Sequence, residues 1–394
     1  MEDDIKAKKR KIYIVIGAAA AAVLGVFIYR ALAPGQITVP RPPVRVTGRA
    51  SGFPAKTLEE ISTLKELKPG EELSVGPEQK LIKLTDFSVI STALNKEENK
   101  ILFYKKDGGD LFASDFTGRS LEKISNITVV GMVGAVWSPS KDRAAVIYLD
   151  GETLRGFLHI GTSSVAVLPQ NIQGFSWSPD GKAIAYILPL DGKLSLTLAD
   201  ASGKKQKVIA GLPPLDASIR WVAKDTIALE TAASGLAEGY LLSFTPSSGL
   251  FKKILGPNFG LTTSWSSDGS RLLASYLDSA GGIVGVGVYA PSGELIASTG
   301  LITLPEKCFL VPSNELFCAV PRDIPSNSVW PDEYLRGELN TADRILSFDL
   351  KTGATREIFD SISFDVSELL VTKNKEALFF INRLDGTLWA LKLR

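Results

Sequence analysis

Three segments of the chain repeat one pattern: "AVWSPSKDRAAVIY", "FSWSPDGKAIAYIL" and "TSWSSDGSRLLASY". Each reads as a short strand ending in tryptophan, a polar turn, and a second strand ending near an aromatic residue. The tryptophans are Trp137, Trp177 and Trp265, and Trp221 in "IRWVAKDTIALE" falls between the last two. The steps between successive tryptophans are 40, 44 and 44 residues. A period of ~40–45 residues with four strands per unit is the signature of a β-propeller.

Three series of turns count the units. Besides the four tryptophans, Leu94, Val311 and Val371 end an apolar strand before a polar turn, which makes seven. The next hairpin is often Asp-Gly, at Asp107-Gly108, Asp150-Gly151, Asp191-Gly192 and Asp385-Gly386, with Gly281-Gly282 in another unit. Both positions of Asp-Gly tolerate positive φ, which suits a two-residue hairpin. A third series carries Gly118, Gly161, Gly203, Gly249, Gly293 and Gly353. The series run in phase. The last unit stops at its third strand, "TLWALKLR", and "QKLIKL" at 79–84 is placed to supply the missing outer strand. Such closure removes exposed sheet edges. The expected fold is all-β, a seven-bladed β-propeller over 79–394.

Ahead of the propeller, 12–33 reads as a transmembrane helix. Ile12–Tyr29 is an uncharged run of 18 residues, and at ~1.5 Å per residue it covers roughly 27 Å, close to the hydrocarbon core. Lys6, Lys8, Lys9, Arg10 and Lys11 precede it, which assigns 1–11 to the cytoplasm and the propeller to the far side. The competing reading is a cleaved signal peptide ending at Ala31-Leu32-Ala33, against which stand Pro34 and the length of the run. Five prolines make 34–56 a stiff linker. Within 57–78, Thr57 to Glu60 forms a capping box that starts a short helix.

"SWSPDGKAIAY" resembles the repeat of bacterial WD40-like propellers, as in the TolB propeller and the propeller domains of prolyl oligopeptidase-like enzymes. The resemblance covers roughly 79–394 and implies fold rather than function, because propellers serve many unrelated roles. The repeated tryptophans are expected to wedge between blades, and Asp180 and Asp268 to bond turn amides.

Catalytic motifs are scarce. There is one histidine, His159, on a predicted strand. No Gly-x-Ser-x-Gly elbow, phosphate loop, His-Glu-x-x-His or EF-hand loop occurs. No cofactor is expected. The charges nearly cancel, 44 basic against 43 acidic, which argues against nucleic acid as a partner. Cys308 and Cys318 lie on two arms of one hairpin, within disulfide reach if they pair across it. An exported domain would keep such a bond.

Residues 321–343, "PRDIPSNSVWPDEYLRGELNTAD", interrupt the sixth unit between its second and third strands. A loop this long is usually functional or disordered. Arg322, Trp330, Asp332, Glu333 and Tyr334 are the candidate ligand-binding residues, since aromatics beside charges suit a peptide or glycan. The alternative is a lid packed on the propeller's own face. The expected function is a membrane-anchored, extracytoplasmic binding or scaffolding module of the bacterial envelope, with lipid bilayer at 12–33 and a protein, peptide or glycan partner. The alternative is an envelope glycan hydrolase or lyase using carboxylates near the insert.

Overall fold

The computed structural model describes Leu64 and residues 66–76, 79–161, 164–190, 192–213, 216–360 and 364–393. The expected membrane segment, the proline-rich linker and most of the short helix lie outside the described residues. Among the described residues no helix is long and apolar enough to cross a membrane.

Seven antiparallel sheets form the blades of a propeller. Their innermost strands are Val89–Leu94, Met132–Trp137, Gln173–Trp177, Ala217–Ala223, Thr262–Trp265, Cys308–Val311 and Val366–Val371, in blades one to seven. Each inner strand turns into the second strand through a short polar loop. In blade three the Ser178 amide donates to the Ala183 carbonyl at 2.9 Å, and Asp180 accepts from the Ser178 hydroxyl at 2.7 Å and the Lys182 amide at 3.1 Å. Asp268 does the same in blade five, accepting from Ser266 and from the Ser270 amide. The third series of glycines, Gly118 to Gly353, all adopt φ between 61° and 92°, which only glycine holds without strain.

Burial is deepest in the middle strands of the blades and least in the outermost. The second strand of blade seven, Ala377–Asn382, is buried at every position, whereas the fourth strand of blade one, Leu121–Lys123, is exposed throughout. The core is therefore divided into seven seams between neighbouring blades. Tryptophans fill several of these seams. The Trp137 indole N–H donates to the Ser91 carbonyl of blade one at 2.7 Å, and that of Trp177 to the Val136 carbonyl of blade two at 2.8 Å. Burial on this scale stabilises by about 1.5–3 kcal/mol per ring, and the bond to the neighbouring backbone fixes the angle between blades.

Lys80–Lys83 pairs with Leu388–Lys392 and supplies the fourth strand of blade seven. Leu81 and Ile82 are fully buried there. A fifth strand, Glu72–Ser74, adds outside it, with Glu72 opposite Ile82. The Glu72 carboxylate accepts from Lys80 at 2.8 Å and Lys392 at 3.2 Å. This fifth strand has no apolar pattern of its own, which is why the sequence alone did not indicate it. Cys308 and Cys318 sit directly opposite each other in the first hairpin of blade six, Cα atoms 4.1 Å apart, joined by a disulfide.

Candidate functional site

Antiparallel order puts the first-to-second turns of all blades on one face. The second-to-third hairpins and the links between blades lie on the other. The insert of blade six lies on this second face. Pro321 pairs with Asp343, so the interruption is 322–342.

The insert turns its aromatic groups inward. Trp330 and Tyr334 are each 2 % exposed, ring centroids 5.5 Å apart, against Ile283, Leu304 and Ile324. The Tyr334 hydroxyl donates to Asp365 at 2.9 Å. Beneath the ring lies Lys307, also fully buried. Its ammonium meets Asp343 at 2.7 Å, Thr341 at 2.8 Å and Asp365 at 3.1 Å, and lies 4.5 Å from the Tyr334 centroid. Burial would lower the pKa of this ammonium, but the adjacent Asp343, Tyr334 and Asp365 outweigh it and hold the pKa above the usual lysine range. Arg383 of blade seven stacks on the other side, 4.1 Å from the ring centroid, and donates to the Tyr334 carbonyl at 2.6 Å.

Of the other insert residues singled out in the sequence, Asp332 and Arg322 are also committed. Asp332 accepts from the Ser234 hydroxyl at 2.8 Å and the Gly235 amide at 2.6 Å, reaching across to blade four. Gly235 is required there, because a Cβ would lie 2.3 Å from the Trp330 carbonyl oxygen. Arg322 pairs with Asp360, and Glu333 is half-buried on the helical turn Asp332–Leu335. The segment is thus a strap over the blade four to seven hairpins. Its aromatics face the molecule's interior, as in the lid arrangement, and its carboxylates Asp332 and Asp343 are held in internal bonds. His159 is buried, and its Nδ1 lies 2.9 Å from the Tyr104 hydroxyl. Burial lowers its pKa.

The opposite face is open. A recess of about 630 Å³ lies among the first-to-second turns, lined in part by Trp137, Trp177 and Trp221. It shares walls with a cavity of about 340 Å³ lined by Ser91, Ser264, Glu306 and Glu368. Both belong to the central channel. The channel wall is irregular, because the inner strands of blades one and seven each carry a bulge with a non-glycine residue at positive φ, Ser91 at 59° and Glu368 at 48°. The bulges lock together. The Glu368 carboxylate accepts from the Ser91 amide at 3.0 Å and the Thr92 amide at 2.6 Å.

Glu230, on the second strand of blade four, accepts from the Thr263 hydroxyl of blade five at 2.7 Å. Burial pushes its carboxyl up to about 7, with a smaller contribution from Glu306 and opposition from Thr263. Of the recess residues, Trp137, Trp177, Trp221 and Asp268 stood out in the sequence as repeat positions, whereas Ser91, Glu368 and the nearby Glu230 did not. A further local signal was Lys141, which occupies the turn position held by glycine in the "SPDG" and "SSDG" repeats.

No protein-family sequence model matches the chain, and no curated protein is similar to it in sequence. Solved structures are similar in fold. An oligogalacturonate lyase in complex with manganese superposes with a TM-score of 0.57 at 14 % identity, over 82 % of this chain and 96 % of the lyase. An oligogalacturonate lyase from Vibrio parahaemolyticus gives 0.57 at 11 % identity, over 82 % and 96 %. The tricorn protease gives 0.49 at 11 % identity, over 81 % of this chain and 34 % of the protease. At such identities the likeness is one of fold. Among the described residues no group of three His, Cys, Asp or Glu is placed to hold a metal.

Proposed function

We propose that this chain is a binding module that takes a glycan at the mouth of its central channel. The observation that carries the reading is the open recess of about 630 Å³, within the ~300–1,000 Å³ typical of ligand sites. It is preformed by strands and edged by the half-buried Trp137 and Trp221 and by hydroxyl side chains, groups that suit the C–H faces and hydroxyls of sugars. The insert, by contrast, spends its aromatic rings and Asp332 on its own packing. Likeness to two sugar-acid lyases supports a glycan over other ligands at the level of fold. We place the propeller outside the cytoplasm, supported by the apolar run at 12–33 with its basic flank and by the disulfide.

The test is binding of a glycan panel to the full-length chain in detergent micelles. Ser267, exposed at the recess, is changed to Trp to fill it. Ser267→Trp should abolish binding that Leu335→Ala, on the opposite face, leaves intact. Retained binding by the filled recess would sink this reading.

A second reading, a glycan-active lyase, rests on Glu230. A carboxyl titrating at about 7 can exchange a proton at neutral pH, as a general base must. Release of unsaturated products from oligogalacturonate, lost in Glu230→Gln, would favour it. An unchanged substrate after prolonged incubation would exclude this activity on that sugar.

A further inference from the structure

The recess proposed above as the ligand site is unbalanced in charge. Lys96, Lys141, Arg220 and Lys373 line it against Glu98 and Asp268. Both carboxylates are already engaged. Glu98 pairs with Lys373 at 3.1 Å and accepts from the Lys373 amide at 2.8 Å. Asp268 accepts from Ser266 at 2.7 Å and from the hydroxyl and amide of Ser270 at 2.9 and 3.0 Å.

Lys141 and Arg220 come from blades two and four and have no carboxylate partner among the described residues. Lys141 is half-buried and Arg220 is exposed; the surrounding protein lowers both pKa values, and Arg220 lowers that of Lys141 further. The backbone at Lys141 is also costly. Its φ is 60°, matching 68° at Gly181 and 70° at Gly269 in the equivalent turns. Lysine holds that conformation under strain that glycine does not feel. Strain and repulsion thus converge where two cations face an open concavity, an arrangement that focuses positive potential on a bound anion.

We infer that the channel mouth takes an acidic sugar, its carboxylate held between Lys141 and Arg220. The inference rests on the glycan-binding reading and adds its charge requirement. Arginine offers a planar fork matched to a carboxylate and lysine a point charge beside it. Beside them Ser267 supplies an exposed hydroxyl for the remaining sugar oxygens.

The test titrates full-length protein in detergent with three probes: a hexameric oligoglucuronate, its neutral counterpart bearing hydroxymethyl groups, and hexaglutamate. Oligoglucuronate should bind at least tenfold tighter than the neutral sugar, since charged hydrogen bonds are worth about that factor or more. Arg220→Gln and Lys141→Gly should each lose about tenfold or more in affinity for it. Lys141→Gly should unfold no earlier than the parent, so lost binding is not lost folding. If both sugars bind equally, the charge requirement fails while the glycan reading stands. If neither binds, both fail. If hexaglutamate binds as tightly as oligoglucuronate, the site reads carboxylates on a peptide and the sugar assignment is overturned.

Discussion

Glu230 shows how a single side chain can set the pH response of a stable scaffold. Its carboxyl titrates at about 7 in the folded chain against 4.5 for an ordinary glutamate. Between those values the folded state keeps a proton that the unfolded state has released. Stability therefore falls as pH rises through the window, complete below about 4.5 and lost above about 7. The Glu230→Gln variant should flatten this slope and gain roughly 1–3 kcal/mol at about pH 8. Urea midpoints of parent and variant across about pH 5–8 measure it, and parallel curves would show that another group sets the response. Sequence could not single out this residue. Nothing in "TIALETAA" separates Glu230 from the other acidic residues. Its state depends on burial and, to a smaller degree, on Thr263 and Glu306, which the ring brings to it from blade five and the approach to blade six. Lys141 was more accessible to reading, because a lysine in a glycine's place within a repeat is visible as a departure.

At the scale of elements, the insert of blade six was legible as an interruption but not in its direction. Trp330 and Tyr334 are amphipathic, and hydropathy alone does not say whether such rings face outward or inward. Lys307, Asp365 and Arg383 decide it, and they come from the approach to blade six and from blade seven. These residues also make the strap's fastening vulnerable. Lys307→Met would leave Asp343 and Asp365 buried with only Arg383, at 3.4 Å from Asp365, as a nearby cation. Breaking one side of such a buried network costs about 3–5 kcal/mol. Chemical denaturation should show a loss of that order, and a change below about 1 kcal/mol would mean that the network relaxes or admits water. The five-stranded blade seven was half legible: "QKLIKL" has the apolar pattern of a strand, whereas Glu72–Ser74 is held by backbone pairing and by two lysines.

The number of blades was readable because a propeller repeats its strongest local signals, tryptophan before one turn and glycine in another, at a fixed period. The channel was not, because it is made of residues that no single repeat contains. Closure of the ring belongs to this scale. Removing 72–83 should expose the third strand of blade seven, Leu388–Lys392, along its whole edge. Size-exclusion chromatography of the truncated chain should show oligomers or aggregate. A monomer with the parent's melting temperature would mean the ring does not depend on this strand.

The same closure places a delay in the life of the molecule. Thr85 and Leu388, which bond where the ring joins, are 303 residues apart. At ~5–20 residues per second a ribosome takes roughly 15–60 s to travel between them. Throughout that interval Lys80–Lys83 has been made and its partner has not. Six blades can form while the clasp hangs open, so Lys80–Lys83 keeps one unpaired edge until Leu388–Lys392 is made. A chaperone that recognises such edges would meet this protein early and hold it until the ring closes.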